Sequence, residues 1–228
     1  MAISTHSMLR FPYGSGLTNT LFEQEIERPG SVEPGFLPVR SKVKMINLSG
    51  SALLNIPSIA MFQLQPNTGY NETVYYHSTT SAFAVNILNS GIDLTKSRTR
   101  KDFSYGNGFY VTKDIDKAVD WAHRKARGGT GAIIAFKISI DMEREEPHLS
   151  LEAGTARGME LWRKVVYFFR KGIYDPEVVS LVQNKKFITG PVATVNTTPY
   201  NFNQTCIHDA DYAKRFGRLQ NILFVIFI

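Results

Sequence analysis

Apolar and polar positions change rhythm several times along the chain, and each rhythm predicts an element. Thr73 to His77 (TVYYH) is β-branched and aromatic, the make-up of a strand. The Ser78-Thr79-Thr80 cluster behind it offers N-caps for a helix carrying Ala84, Ile87 and Leu88, which Gly91 ends. After a basic, polar loop, Gly108 to Thr112 (GFYVT) predicts a second strand, approached through Gly106. Ile115, Ala118, Val119 and Ala122 then recur at i, i+3, i+4 and i+7, predicting a helix that starts at Asp114 or Asp116 and stops at Gly128-Gly129. Gly131 to Ile140 (GAIIAFKISI) is apolar on both alternating sets, which predicts a strand central in a sheet. Beyond a charged loop from Glu143 to Pro147, Leu161, Val165, Phe168 and Phe169 mark another amphipathic helix. Phe187 to Val195 and Tyr200 to Ile207 predict strands, Asp209 to Phe216 a short helix, and Ile222 to Ile228 a closing strand. Strands and helices mix without a regular βαβ repeat, so the fold class is α+β, an antiparallel or mixed sheet core with flanking helices.

The first seventy residues follow a different pattern. Arg28 to Pro38 holds Pro29, Gly30, Pro34, Gly35 and Pro38, so neither a helix nor a central strand runs through it. Val43 and Met45, then Ile59, Met61 and Leu64, suggest a hairpin around Ser49-Gly50-Ser51. The division that follows is an N-terminal extension over 1–70, with a possible hairpin, and a main domain over 71–228. On this division, removal of residues 1–40 should leave the main domain folded.

Composition narrows the function classes. At 228 residues, with 43% apolar residues, the chain can bury enough surface to offset its ordering entropy, which excludes wholesale disorder. The longest apolar run, Ile222 to Ile228, is far short of the roughly 20 residues that cross a bilayer, so no membrane partner is expected. The N-terminus lacks the apolar stretch of a secretory signal, which predicts a cytoplasmic protein. One cysteine, Cys206, excludes an intramolecular disulfide, and the five histidines are too dispersed for metal ligation, so no metal is expected. The net charge of +6 is a modest excess, with basic segments at Arg124 to Arg127 and Lys214 to Arg218. It suits anionic ligands but is too dilute to specify nucleic acid. Gly14-Ser15-Gly16 lacks the third glycine of a dinucleotide fingerprint, and neither a Gly-Lys-Ser/Thr phosphate loop nor a nucleophile elbow occurs.

Three short segments remain. Tyr75-Tyr76-His77-Ser78-Thr79 puts a histidine on a strand before a helix. Asp102 to Thr112 (DFSYGNGFYVT) puts a tyrosine in a glycine-approached strand. Tyr200-Asn201-Phe202-Asn203-Gln204 puts a glutamine on a late strand. In order and spacing these resemble the ADP-ribosyltransferase superfamily, in the branch shared by poly(ADP-ribose) polymerases and diphtheria-type toxins, whose signature is His, Tyr and then Glu or a substitute on three strands. Ala118 to Ala122 (AVDWA) and Gly190 to Ala193 (GPVA) extend the likeness, which covers roughly residues 72–216.

The resemblance implies an ADP-ribosyltransferase-like fold with NAD as co-substrate and His77, Tyr110 and Gln204 as catalytic residues. His77 would bond the adenosine ribose, Ser78 and Thr79 the nicotinamide amide, and Tyr110 would stack on the nicotinamide ring while Phe109 packs into the core. Phe103, Gly106 and Gly108 fall among the cofactor-binding positions, the glycines letting backbone approach the ligand. Arg98, with Arg100 and Lys101, would meet the pyrophosphate. Gln204 departs from the glutamate pattern: an amide keeps the hydrogen bond but neither the charge nor the basicity. Bond cleavage survives that change more easily than chain elongation does. The implied activity is mono-ADP-ribosylation of an unidentified macromolecule, a protein before a nucleic acid. The alternatives are NAD glycohydrolysis and an inactive module that binds NAD or ADP-ribose. Trp121 and Trp162 are assigned to core packing.

Overall fold

A computed structural model describes residues 20–35, 37–48, 56, 71–96 and 100–228. Its strands are β1 (Thr20–Arg28), β2 (Val39–Asn47), β3 (Glu72–Thr80), β4 (Phe109–Val111), β5 (Gly131–Ser139), β6 (His148–Ser150), β7 (Phe187–Ala193), β8 (Pro199–Ile207) and β9 (Ile222–Phe227). Its helices are α1 (Ser81–Ser90), α2 (Ile115–Ala126), α3 (Ile140–Glu145), α4 (Ala156–Lys171), α5 (Pro176–Val182) and α6 (Ala210–Phe216). The fold is α+β, with two mixed sheets ordered β1-β2-β9-β5-β3 and β4-β8-β7-β6. Among the described residues no helix is long and apolar enough to cross a membrane.

β5 shows why the larger sheet lies inside the molecule. Ile134, Phe136 and Ile138 face the core shared by the two sheets, where they meet Phe109, Phe187 and Ile207, while Ile133 and Ala135 face α2 through Ala118 and Ala122. Both faces of the strand are covered from Gly131 to Phe136, and that stretch is apolar throughout. A third core lies on the smaller sheet, where α4 sets Trp162, Val165 and Phe169 against Ile188 and Cys206. Helix starts follow local capping chemistry: the side chains of Thr80, Asp114, Thr155, Asp175 and Asp209 each accept a first-turn N–H.

A hairpin of β1 and β2 lies upstream of the expected one. β1 pairs antiparallel with β2 from Thr20↔Asn47 to Arg28↔Val39, and the Pro/Gly-rich segment is the loop between them. Val43 and Met45 are inward positions of β2. Ile59, Met61, Leu64 and the Ser49-Gly50-Ser51 turn lie outside the described residues. β2 then pairs in parallel with β9, which places the hairpin in the main sheet. The dispensability of residues 1–40 does not fit this arrangement. Arg28, 1% exposed, donates to the carbonyls of Ile87, Leu88 and Gly217 and to the carboxylate of Glu33, each at 2.6–2.7 Å, tying the hairpin loop to the C-terminal ends of α1 and α6.

Candidate functional site

The two sheets meet at an antiparallel bridge. Tyr76 N–H donates to the Thr112 carbonyl at 2.7 Å, and Thr112 N–H returns the bond at 3.0 Å. Beside this bridge opens a cleft of about 240 Å³. β3 contributes Tyr76 and Ser78 to it, β4 Tyr110 and Val111, β8 Phe202 and Gln204, and α2 Trp121 and Lys125. Lys101, Asp102, Thr112, Arg170, Val192 and Ala193 complete the wall. The period-two alternation of strands explains the selection. On β8, Phe202 and Gln204 share the cleft face, and Cys206 continues it downward into the core beside its register partner Tyr110.

At the polar end, Asp102 is buried and receives four donors. Gln204 Nε2 reaches Oδ2 at 2.6 Å and Ala193 N–H reaches the same oxygen at 2.8 Å. Arg170 Nε reaches Oδ1 at 2.6 Å, and Arg170 Nη2 completes the ion pair at the same oxygen. The Arg170 guanidinium also donates to the carbonyls of Ala193 and Thr194, both at 2.7 Å, so α4 is pinned to the end of β7. This network is satisfied throughout, which gives it the rigidity of a fixed donor and acceptor array.

The aromatic side is held equally firmly. Tyr110 OH accepts from Phe103 N–H at 3.1 Å and bonds the Ser104 hydroxyl at 3.1 Å, with burial pushing the phenol well above its ordinary range. The Ser78 hydroxyl donates to the Ala118 carbonyl at 2.5 Å, docking β3 on α2. Lys125 Nζ reaches in to the Ser78 carbonyl at 2.5 Å; desolvation, then Lys101, pull this ammonium down to about 8. Burial pushes the Cys206 thiol up to about 12, so it offers no thiolate at neutral pH.

Of the expected site residues, the structure brings Ser78, Tyr110 and Gln204 together in this cleft. His77 occupies another place. Its ring lies on the opposite face of β3 from Tyr76 and Ser78, stacked on Phe109 with centroids 4.0 Å apart. Nδ1–H donates to the Tyr110 carbonyl at 2.7 Å, and burial, then Lys125, hold the imidazole neutral by lowering its pKa to about 3. Thr79, 6% exposed, does not line the cleft, and Phe103 is wholly buried in the third core. Neither Gly106 nor Gly108 lines the cleft. Gly106 has φ +121, a conformation L side chains resist, and a Cβ at Gly108 would stand 2.5 Å from Ser104 Oγ and 2.6 Å from Cys206 Sγ. Lys101 is at the cleft, Arg100 lies over the Tyr105 ring instead, and Arg98 is outside the described residues.

One correction concerns a tryptophan. Trp162 is core, as expected, donating Nε1–H to the Pro191 carbonyl at 2.9 Å. Trp121 is not: it is 40% exposed and forms a wall of the cleft. α2 turns Ala118 and Ala122 inward, which rotates Trp121 toward the opening. Sequence reasoning also missed Asp102 and Arg170 as site residues. Asp102 opened a recognised segment and was readable there, but Arg170 ends a helix otherwise read only for its apolar stripe.

The arrangement joins flat aromatic walls to a polar end where Asp102 and Gln204 meet, with Lys101 and Lys125 adding positive charge. Such a site suits a ligand combining a planar ring, hydroxyl groups and negative charge. Among the described residues no cluster of His, Cys, Asp and Glu side chains is placed to hold a metal ion. No curated protein matches the chain. A family model described as Protein of unknown function (DUF3990) matches residues 74–216, a span that includes every lining residue of the cleft and leaves out β1, β2 and β9, and the chain belongs to that family.

Proposed function

We propose that the protein is a mono-ADP-ribosyltransferase that cleaves NAD at the nicotinamide–ribose bond and passes ADP-ribose to a macromolecular acceptor, a protein before a nucleic acid. The observation that carries this reading is convergence. Ser78, Tyr110 and Gln204 come from three separate segments on three strands, and all three line one cleft at the junction of two mixed sheets. A sheet core split in this way supports an ADP-ribosyltransferase-like fold.

In this reading the nicotinamide ring lies against the aromatic walls made by Tyr110 and Trp121, contacts worth about 0.5–1.5 kcal/mol each beyond burial. The Gln204 amide oxygen accepts a hydroxyl of the adjoining ribose. As the bond to C1′ breaks, its electron pair leaves with nicotinamide, which departs neutral, and positive charge develops on the ribose. Hydrogen bonds fixed before the reaction stabilise that charge without reorganising. His77 acts at one remove, joining β3 to β4 and so setting Ser78 against Tyr110.

Hydrolysis of NAD is the second reading, and Gln204 favours it specifically. An amide takes no proton from an acceptor, so the acceptor's proton must leave by another route, and water in excess competes well. The two readings part in one assay, nicotinamide release from NAD with the adenine side labelled and cell extract supplying acceptors. A transferase releases nicotinamide and labels macromolecules; a hydrolase releases it with free ADP-ribose alone. Tyr110→Ala and Gln204→Ala should each lower release by about 10²-fold or more. Binding of NAD without any release would leave an inactive module.

A further inference from the structure

The Gln204 amide is oriented by its neighbour, and that orientation decides what it offers a ligand. Both Asp102 oxygens already take donors: Ala193 N–H and Gln204 on Oδ2, and Arg170 on Oδ1. An acceptor so occupied admits only the Nε2 end of the amide, so Oε1 is the end turned away from Asp102. We propose that Asp102 is the positioning residue of the cleft: it holds Gln204 by Nε2 and leaves Oε1 as an acceptor for a ligand hydroxyl. An uncharged side chain thereby fills the acceptor role of a carboxylate, and the negative charge sits one residue further back, paired with Arg170. The proposal rests on the functional reading above only in naming that hydroxyl as ribose; the orientation itself stands without it.

The consequence runs against intuition. Gln204→Glu, the change that would supply the missing catalytic carboxylate, brings two carboxylates to hydrogen-bond distance, where both cannot ionise freely. The test follows the introduced carboxyl by carbon-13 NMR in the ligand-free protein across pH 4–9, in Gln204→Glu alone and with Asp102→Asn added. In the single variant it should titrate about two pH units above its ordinary value, and with Asp102→Asn the elevation should disappear. Nicotinamide release gives the functional arm. Gln204→Glu should be slower than wild type at pH 8 by about tenfold or more, with the deficit shrinking as pH falls and shared protonation returns. Ordinary titration in the single variant, or release at pH 8 equal to or above wild type, overturns the proposal. If Asp102→Asn does not fold, the titration of Gln204→Glu alone decides. Elevated titration in a protein that never releases nicotinamide would sink the transferase and hydrolase readings and leave the positioning role of Asp102 intact.

Discussion

His77 lies where the two sheets join, and its neutrality is part of the join. Nδ1–H bonds the Tyr110 carbonyl, the ring packs on Phe109, and the pKa falls from 6.5 to about 3. A folded-state pKa below the unfolded value means that the unfolded chain binds the extra proton first. The contribution is therefore complete above about pH 6.5 and is lost as pH falls toward 3. Over the whole range it is of order 5 kcal/mol for a side chain this buried. Chemical denaturation between pH 7.5 and 4 should show stability declining with acid, and His77→Gln, less stable at pH 7.5, should show a visibly flatter decline. Equal slopes for the two proteins would remove His77 from the account of acid sensitivity. The residue also shows how one side chain was legible in part. Its place on a strand is readable from the TVYYH pattern, although β3 runs on to Thr80, but which face it takes depends on register with β5, where His77 stands opposite Ile134. That pairing is non-local and leaves no trace in the segment itself.

At the scale of elements, the strands and helices carrying the cleft were legible because each has its own local signal. Asp114 caps α2, Gly91 and Gly172 close α1 and α4, and β5 is apolar on both faces. β1 was not legible. Its inward positions are Phe22, Gln24, Ile26 and Arg28, so alternation exists but half of it is polar. The reason is tertiary: Arg28 points inward to satisfy carbonyls at the ends of α1 and α6. The Glu143–Glu145 half of α3 reads as a charged loop because no residue of that helix is buried, and β6, three residues paired in parallel to β7, is too short to carry a period. Arg28→Met leaves Glu33 buried without its ion pair and removes the Arg28 donor from the Leu88 and Gly217 carbonyls, while Ile87 keeps the Gly91 N–H. Breaking a buried pair this way costs about 3–5 kcal/mol, which lowers Tm by about 10 °C in a domain of this size. Thermal unfolding followed by circular dichroism checks this, and a Tm within two or three degrees of wild type would show the hairpin to be a passive addition. Deletion of residues 1–40 removes Arg28, Glu33 and β1 together and should be more damaging still.

The whole molecule is organised around the line where its sheets meet. The larger sheet contributes β3, the smaller β4 and β8, and the Tyr76–Thr112 bridge fixes their spacing beside the cleft. Neither sheet contains the site alone, so site geometry and global packing are one problem: the core that fixes the sheets also fixes Ser78 against Tyr110. Asp102 and Arg170 add a second clamp from α4 to the end of β7. The family match spans this junction and leaves out β1, β2 and β9 of the larger sheet. The chain's two tryptophans offer a direct view of it. Trp162 is fully buried in the third core, and Trp121 is 40% exposed in the cleft wall. Titrating the protein with NAD while following tryptophan emission tests whether this cleft is the NAD site. The account predicts a saturable quench that disappears in Trp121→Phe while the Trp162 emission persists; no saturable change at millimolar NAD, or one that survives Trp121→Phe, would contradict it.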